Sequence, residues 1–285
     1  MGSDSCNIHS IKIKHRDTEF KLHLVPIYDI RPHERSVNIL KEELKNQLLN
    51  DGVLRDPILA DYKRGLVIDG THRILALREI GVDYIVIQHI DYLDDGLKLY
   101  RWFRIYDKPD KDIIEILKNV KGTKEFDIRD LDRYSMYIVY NGKTYIILDD
   151  AELEDIVENI ETLTEKFSTQ YNMKPYYISE DELDNIDIKK FEGILIGYRV
   201  IDKSEVLDVH SKHVLLHNKA TRHVPPYRII NINIPLKLLS KDYLYDAIEY
   251  IKGIKLEYLG EKIVLEGRYY AEKVFKGVRE DINKG

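Results

Sequence analysis

The chain of 285 residues predicts an α/β fold, and three observations predict it. An apolar run ends at Val67-Ile68-Asp69-Gly70 and restarts at once as the helical pattern Ile74, Leu75, Leu77, Ile80, so strand, tight turn and helix follow without a linker. Strand-like and helix-like segments alternate through the first ninety residues. A similar alternation resumes after a polar break at Asp107 to Asp112, which contains Pro109 and marks the expected boundary between domains 1–106 and 107–285.

Taken in order, Phe20 to Ile30 reads as strand and ends in a turn at Pro32, with His33-Glu34-Arg35 directly after it. From Ser36 to Leu49 the positions Val37, Leu40, Leu44 and Leu48 keep helical spacing, with Ser36 as the expected cap and Gly52 as the stop. Pro57 to Ala60 is a short strand, Lys63-Arg64-Gly65 a hairpin-like turn, Leu66 to Ile68 the next strand, and 71–80 a helix that ends at Gly81. Tyr84 to Gln88 is β-branched and aromatic. Leu93 to Ile105, with the single tryptophan Trp102, reads as helix.

Beyond the break, Ile113 to Val120 reads as helix. Asn141-Gly142 is a hairpin signal between Tyr-rich strands, Asp150 to Phe167 an acidic helix, and Gly193 to Val200 a strand. The tail from Ser240 reads as two helices around a hairpin at Gly260.

Composition narrows the function classes. Hydrophobic residues at 44% and charged residues at 33%, with no apolar run near the roughly 20 residues needed to span a bilayer, describe a soluble protein. The opening residues lack a basic segment followed by an apolar core, so a cytoplasmic location is expected. A lone Cys6 excludes an internal disulfide and a multi-thiolate zinc site. A net charge of -6 disfavours nucleic-acid binding across the surface, while leaving room for a local basic patch. Abundant Lys, Glu, Ile and Tyr, with 3 Met, resemble the composition of proteins from hot environments, and most of the 21 Tyr are expected in the core. Oligomeric state leaves no signal in the pattern.

Two stretches carry chemistry. The Asp69-Gly70-Thr71-His72-Arg73 turn opens a helix, whose first N–H groups and positive dipole end favour an anion such as a phosphate. Cations at a helix start are unfavourable unless an anion offsets them, which sets His72 and Arg73 apart from an ordinary solvated first turn. The second stretch, His210 to Pro226, gathers four of the 10 histidines with Lys212, Lys219 and Arg222 on an otherwise acidic chain. His210, His213 and His217 have the spacing of one helical face, so zinc is a rival reading there, although no H-E-x-x-H arrangement is present. Glu34 and Asp69 supply carboxylates, one to accept a hydroxyl proton and one to stand near a divalent cation and phosphates. A Walker A sequence, the Rossmann glycine fingerprint and a G-x-S-x-G elbow are all absent.

Leu24-Val25-Pro26, Pro32-His33-Glu34, Asp56-Pro57-Ile58 and Val67 to Arg73 together resemble the ParB/sulfiredoxin superfamily domain in order and spacing over about ninety residues. With Lys219-Ala220-Thr221-Arg222-His223, the pattern resembles the free L-serine kinases within it. Sulfiredoxins carry a cysteine where this chain has Thr71, which argues against sulfur chemistry. Partition proteins carry a Gly-Glu-Arg-Arg-type box and a helix-turn-helix domain, neither of which is clear here, so a DNA-binding ParB-like protein is the alternative.

The resemblance implies phosphoryl transfer from ADP or ATP, with Mg2+, to the hydroxyl of free L-serine, giving O-phospho-L-serine for cysteine biosynthesis. It implies Glu34 as general base, Asp69 as a second essential carboxylate and metal ligand, and Gly70, Thr71, His72 and Arg73 at the nucleotide phosphates. It further implies Trp102 as a wall of the serine pocket and Lys219, Thr221, Arg222 and His223 at the phosphoserine end. The expected partners are L-serine and an adenine nucleotide, with no nucleic acid and no membrane.

Overall fold

The computed structural model describes residues 8–16, 18–110, 113–118, 120–125, 127, 132–183, 186–187 and 191–279. Cys6, the Asp112 end of the polar break and residue 119 of the expected helix lie outside them. The chain forms two compact units. The first comprises Met1–Lys98, His213–Leu215 and His223–Gly285, the second Leu99–Lys212 and Leu216–Arg222.

The first unit is built on a five-stranded sheet. Its elements are β1 (His9–His15), β2 (Thr18–Pro26), α1 (Asn38–Asp51), β3 (Val53–Leu54), β4 (Ile58–Asp61), β5 (Leu66–Asp69), α2 (Thr71–Ile80) and β6 (Tyr84–His89). The sheet order is β1-β2-β6-β4-β5, with β4 parallel to β6 and the other neighbours antiparallel. The 61–66 connection closes as the expected hairpin, and Gly65 takes a left-handed φ of 63° there.

The C-terminal residues belong to this same unit. Strands Tyr227–Ile230, Lys273–Val278 and Lys255–Gly260 form a second, three-stranded sheet, and helix Leu244–Lys252 lies between its first and last members in sequence. Ile229, Ile251 and Phe275 share one apolar core with Phe20, Leu22, Ile74 and Leu77. The division is therefore not a single cut at 106/107. Burying Phe20 and Leu22 on one face of the sheet needs a cover, and the C-terminal residues supply it.

The second unit is a six-stranded antiparallel sheet in the order Tyr176–Ser179, Trp102–Tyr106, Ile194–Tyr198, Met136–Tyr140, Lys143–Leu148, Gly122–Glu125. Asn141 and Gly142 both take positive φ, 51° and 72°, as a tight two-residue hairpin requires. Helix Leu153–Tyr171 buries Leu153, Ile156, Ile160, Leu163 and Phe167, a stripe at 3.6-residue spacing. Phe167 stacks on Tyr106 with ring centroids 4.5 Å apart.

Several sequence expectations are corrected. No helix forms over Leu93 to Ile105: Asp91 and Asp94 accept the backbone N–H groups of Leu93 and Gly96 in short turns, and strands Lys98–Tyr100 and Trp102–Tyr106 follow. Trp102, Phe103, Ile105 and Tyr106 are aromatic or β-branched and suit a strand buried on both faces. Among the described residues the tail holds one α-helix, Leu244–Lys252, and then four strands, because turns at Gly260 and Gly267 interrupt any helical period.

Helix α1 starts at Asn38 without a side-chain cap from Ser36, and its Leu40 and Leu49 stay exposed, so its apolar spacing is not a buried stripe. Tyr92, Tyr106, Tyr137 and Tyr198 are core, yet Tyr28, Tyr176, Tyr245 and Tyr269 are exposed. Among the described residues no helix is long and apolar enough to cross a membrane.

Candidate active site

Within the first unit, β5 and the start of α2 set the geometry. Gly70 is the N-cap of α2 with φ 111°, a conformation that a side chain resists, and a Cβ there would meet Ile58 Cδ1 at 2.7 Å. The Gly70→Ala variant is therefore expected to lose about 2–4 kcal/mol of stability in urea denaturation. A loss under about 0.5 kcal/mol would show that the turn is not held by glycine.

The turn points Asp69 at guanidinium groups. Asp69 Oδ2 lies 2.5 Å from Arg228 Nη1 and 3.3 Å from Arg268 Nη2, while Oδ1 is 3.8 Å from Arg73. Burial works to raise the Asp69 pKa, but Arg228, Arg268 and Arg73 together hold it well below the usual carboxylate range. Arg228 also donates from Nε to Glu272 at 2.5 Å, and both of those side chains are nearly buried, at 8% and 6% exposure. Three guanidinium groups thus face two carboxylates and leave one positive charge over. Such a cluster attracts an anion.

The two cations expected to wait for an anion already have protein partners. Arg73 folds back and donates to the carbonyls of Asp56 and Pro57 at 3.2 and 2.9 Å, bracing the turn. His72 Nε2 accepts the Val37 backbone N–H at 3.0 Å, which ties the start of α2 to the start of α1 and makes that nitrogen unprotonated. The helix-start penalty for Arg73 is thus offset by carbonyl oxygens. Thr71 occupies the first position of α2, and Gly70 rather than Thr71 is the cap.

Glu34 forms a second cluster in the same unit. His33 is buried, donates from Nδ1 to the Val67 carbonyl at 2.8 Å, and thereby turns Nε2 toward Glu34 Oε1 at 3.6 Å. Glu34 retains 14% exposure, enough for a ligand to reach its carboxylate. The Tyr92 phenol is pushed far up, first by burial and then by the Glu34 charge, and its oxygen is hydrogen-bonded to His223 Nε2 at 2.9 Å. His223 in turn packs edge-on against His33, with centroids 5.3 Å apart. Val67 and Asp69 lie two residues apart on β5, so one strand anchors both the Glu34 and the Asp69 clusters.

Within the second unit, Trp102 organises the loop from Lys219 to Arg222. Its Nε1 donates to the Thr221 carbonyl at 3.1 Å, Lys219 Nζ sits 4.5 Å over its ring, and the Arg222 guanidinium stands 5.7 Å from the same ring. Arg222 also donates to Asp181 at 2.8 Å, and the Tyr198 hydroxyl donates to the Lys219 and Ala220 carbonyls. Thr221 is buried. The loop is a pinned basic structure rather than a solvated charge run.

The zinc reading of the histidines is corrected: helix Lys203–Ser211 ends before His213, whose φ of 59° breaks the helical face. Among the described residues no group of three or more His, Cys, Asp or Glu side chains is placed to hold a metal. Asp69 does not fit a direct Mg2+ ligand, because guanidinium groups occupy its oxygens and surround it with positive charge. Sequence reading missed Arg228, Arg268 and Glu272. The available signal was Arg228 alone inside the apolar strand Tyr227–Ile230, since a buried charge implies a buried partner.

No family model matches the chain. The ATP-dependent L-serine kinase of Staphylothermus marinus is 26% identical over 232 residues, 76% of this chain and 90% of that protein. The ADP-dependent L-serine kinase SerK of Thermococcus kodakarensis is 21% identical over 250 residues, 84% of this chain and 100% of that protein. Among solved structures, a free serine kinase in complex with AMP superposes with a TM-score of 0.61 at 20% identity, covering 81% of this chain and 97% of the other. At that identity the superposition speaks for a shared fold.

Proposed function

We propose that this protein is a free L-serine kinase that transfers a phosphoryl group from ADP or ATP to the serine hydroxyl, giving O-phospho-L-serine that feeds cysteine biosynthesis. The observation that carries the reading is Glu34: a carboxylate at 14% exposure, beside a buried histidine that the Val67 carbonyl holds in place, on the strand framework that also presents the Asp69–arginine cluster. Similarity to the two L-serine kinases over most of their length supports it. The N-terminal residues are read as a ParB/sulfiredoxin-like domain in which Thr71 replaces the sulfur nucleophile.

In the proposed reaction Glu34 accepts the serine hydroxyl proton as that oxygen bonds to the terminal phosphorus. The bond from phosphorus to the nucleotide's bridging oxygen breaks, and AMP or ADP leaves with the electron pair. The first turn of α2, from Gly70 through Arg73, directs backbone N–H groups at phosphate oxygens, and the Asp69 cluster supplies the surplus positive charge. Asp69 acts by holding Arg228 and Arg268 in place. Mg2+, when bound with the nucleotide, would neutralise charge on its phosphates. Trp102, Lys219, Thr221, Arg222 and His223 are proposed to recognise the serine and phosphoserine end, through aromatic packing and cationic donors.

The test is chromatographic detection of O-phosphoserine from purified protein with L-serine, Mg2+ and either ADP or ATP, with L-threonine as a control acceptor. Product with at least one nucleotide, lost on chelation of Mg2+, is expected. No product with either nucleotide would overturn the reading.

A further inference from the structure

A pocket of about 350 Å³ opens on the first unit, on the sheet face opposite to the one that carries Asp69. Strand register builds it. His23 pairs with Ser10 across β1 and β2, and Lys21 lies two residues away on the same face of β2. His89 follows Ile87, which pairs with His23, and Tyr62 lies two beyond Ala60, which pairs with His89. The rings of His23, Tyr62 and His89 form a triangle with centroids 4.5 to 5.4 Å apart.

His23 is the unusual member. It is 4% exposed, and among the described residues neither ring nitrogen has a hydrogen-bond partner. Burying an imidazole without partners is unfavourable, so the site calls for a ligand with polar atoms. The chemistry of the lining selects which kind. Among the described residues it contains two ammonium groups, Lys21 and Lys63, and no carboxylate. The adjacent Asp61 is committed to Arg64 and to the backbone N–H groups of Lys63 and Tyr92. Burial first, then the charges of His89 and Lys21, push the His23 pKa down to about 4, so its ring is neutral and keeps one N–H to donate. The two ammonium groups of the lining disfavour a metal cation and favour an anion.

We propose that this pocket binds a small organic oxyanion, a carboxylate or a phosphate monoester, with Lys21 and Lys63 supplying charge and His23 and His89 supplying imidazole donors. The volume suits a compact metabolite, and Tyr62 offers a flat wall for its carbon skeleton. None of these residues belongs to the Glu34 or Asp69 clusters, so occupancy is independent of the kinase reading.

The experiment follows the His23 and His89 ring resonances of the full-length, nitrogen-labelled protein during titration with citrate and, separately, with inorganic phosphate. Saturable shifts of both rings, with a Kd below about 1 mM for at least one anion, are expected. The K21S/K63S variant alters only exposed side chains and is expected to weaken that binding at least about tenfold while leaving serine turnover unchanged. Absence of saturable shifts with both anions, or equal affinity in K21S/K63S, would overturn the proposal, as would ring shifts induced by Zn2+ where the anions cause none.

Discussion

Replacing Glu34 by Gln is expected to lower the turnover number for O-phosphoserine formation by about 10²–10⁴, the range that a positioned general base contributes. The substitution keeps the side chain's size and so its packing beside His33 Nε2, 3.6 Å away, while removing the basic oxygen. Circular dichroism and the unfolding midpoint should therefore match the parent protein. The loss should appear in kcat, with KM for the nucleotide little changed, because the phosphates are assigned to the α2 turn and the arginine cluster. Unchanged turnover would remove Glu34 from the base role, and the Tyr92–His223 pair beside it would become the next group to test.

Arg228→Met should produce the largest stability change in the molecule. It leaves Glu272, at 6% exposure, without its cation and removes the shortest contact to Asp69, so a loss of about 3–5 kcal/mol is expected in denaturant titration. The double variant R228M/E272Q removes the stranded charge and should recover most of that loss, since an apolar replacement of a buried pair is often close to neutral. A single-variant loss below about 1 kcal/mol would mean that solvent compensates these charges.

Asp69 adds a pH signature. Its folded pKa lies below the unfolded value near 3.9, so its contribution is fully present above about pH 4 and disappears as pH falls through the folded pKa. Parent stability should therefore decline below about pH 4 more steeply than that of D69N, which lacks this proton uptake.

Local patterns made much of this legible. The β5–turn–α2 unit was readable because an apolar run, Gly70 and a helical period occupy adjacent residues and need no distant partner. The Asn141-Gly142 hairpin was readable for the same reason. The strand around Trp102 is not legible as one, because a short apolar run buried on both faces satisfies helical spacing as well as strand spacing. His72 and Arg73 stand out in the sequence as cationic residue types at a helix start. Only the fold reveals that Val37, Asp56 and Pro57 are their partners, 16 to 35 residues away.

The sequence by itself determined the local conformations and which residue types stand at element ends, including Glu34 ahead of α1 and Asp69 at the close of β5. The tertiary structure decided what those residues face. Arg228 and Arg268 reach Asp69 across separations of 159 and 199 residues, because the C-terminal strands pack on the face that Phe20 and Leu22 must bury. The charge balance around a carboxylate is a sum over neighbours in space. That sum turns Asp69 from an expected metal ligand into the anchor of an arginine cluster.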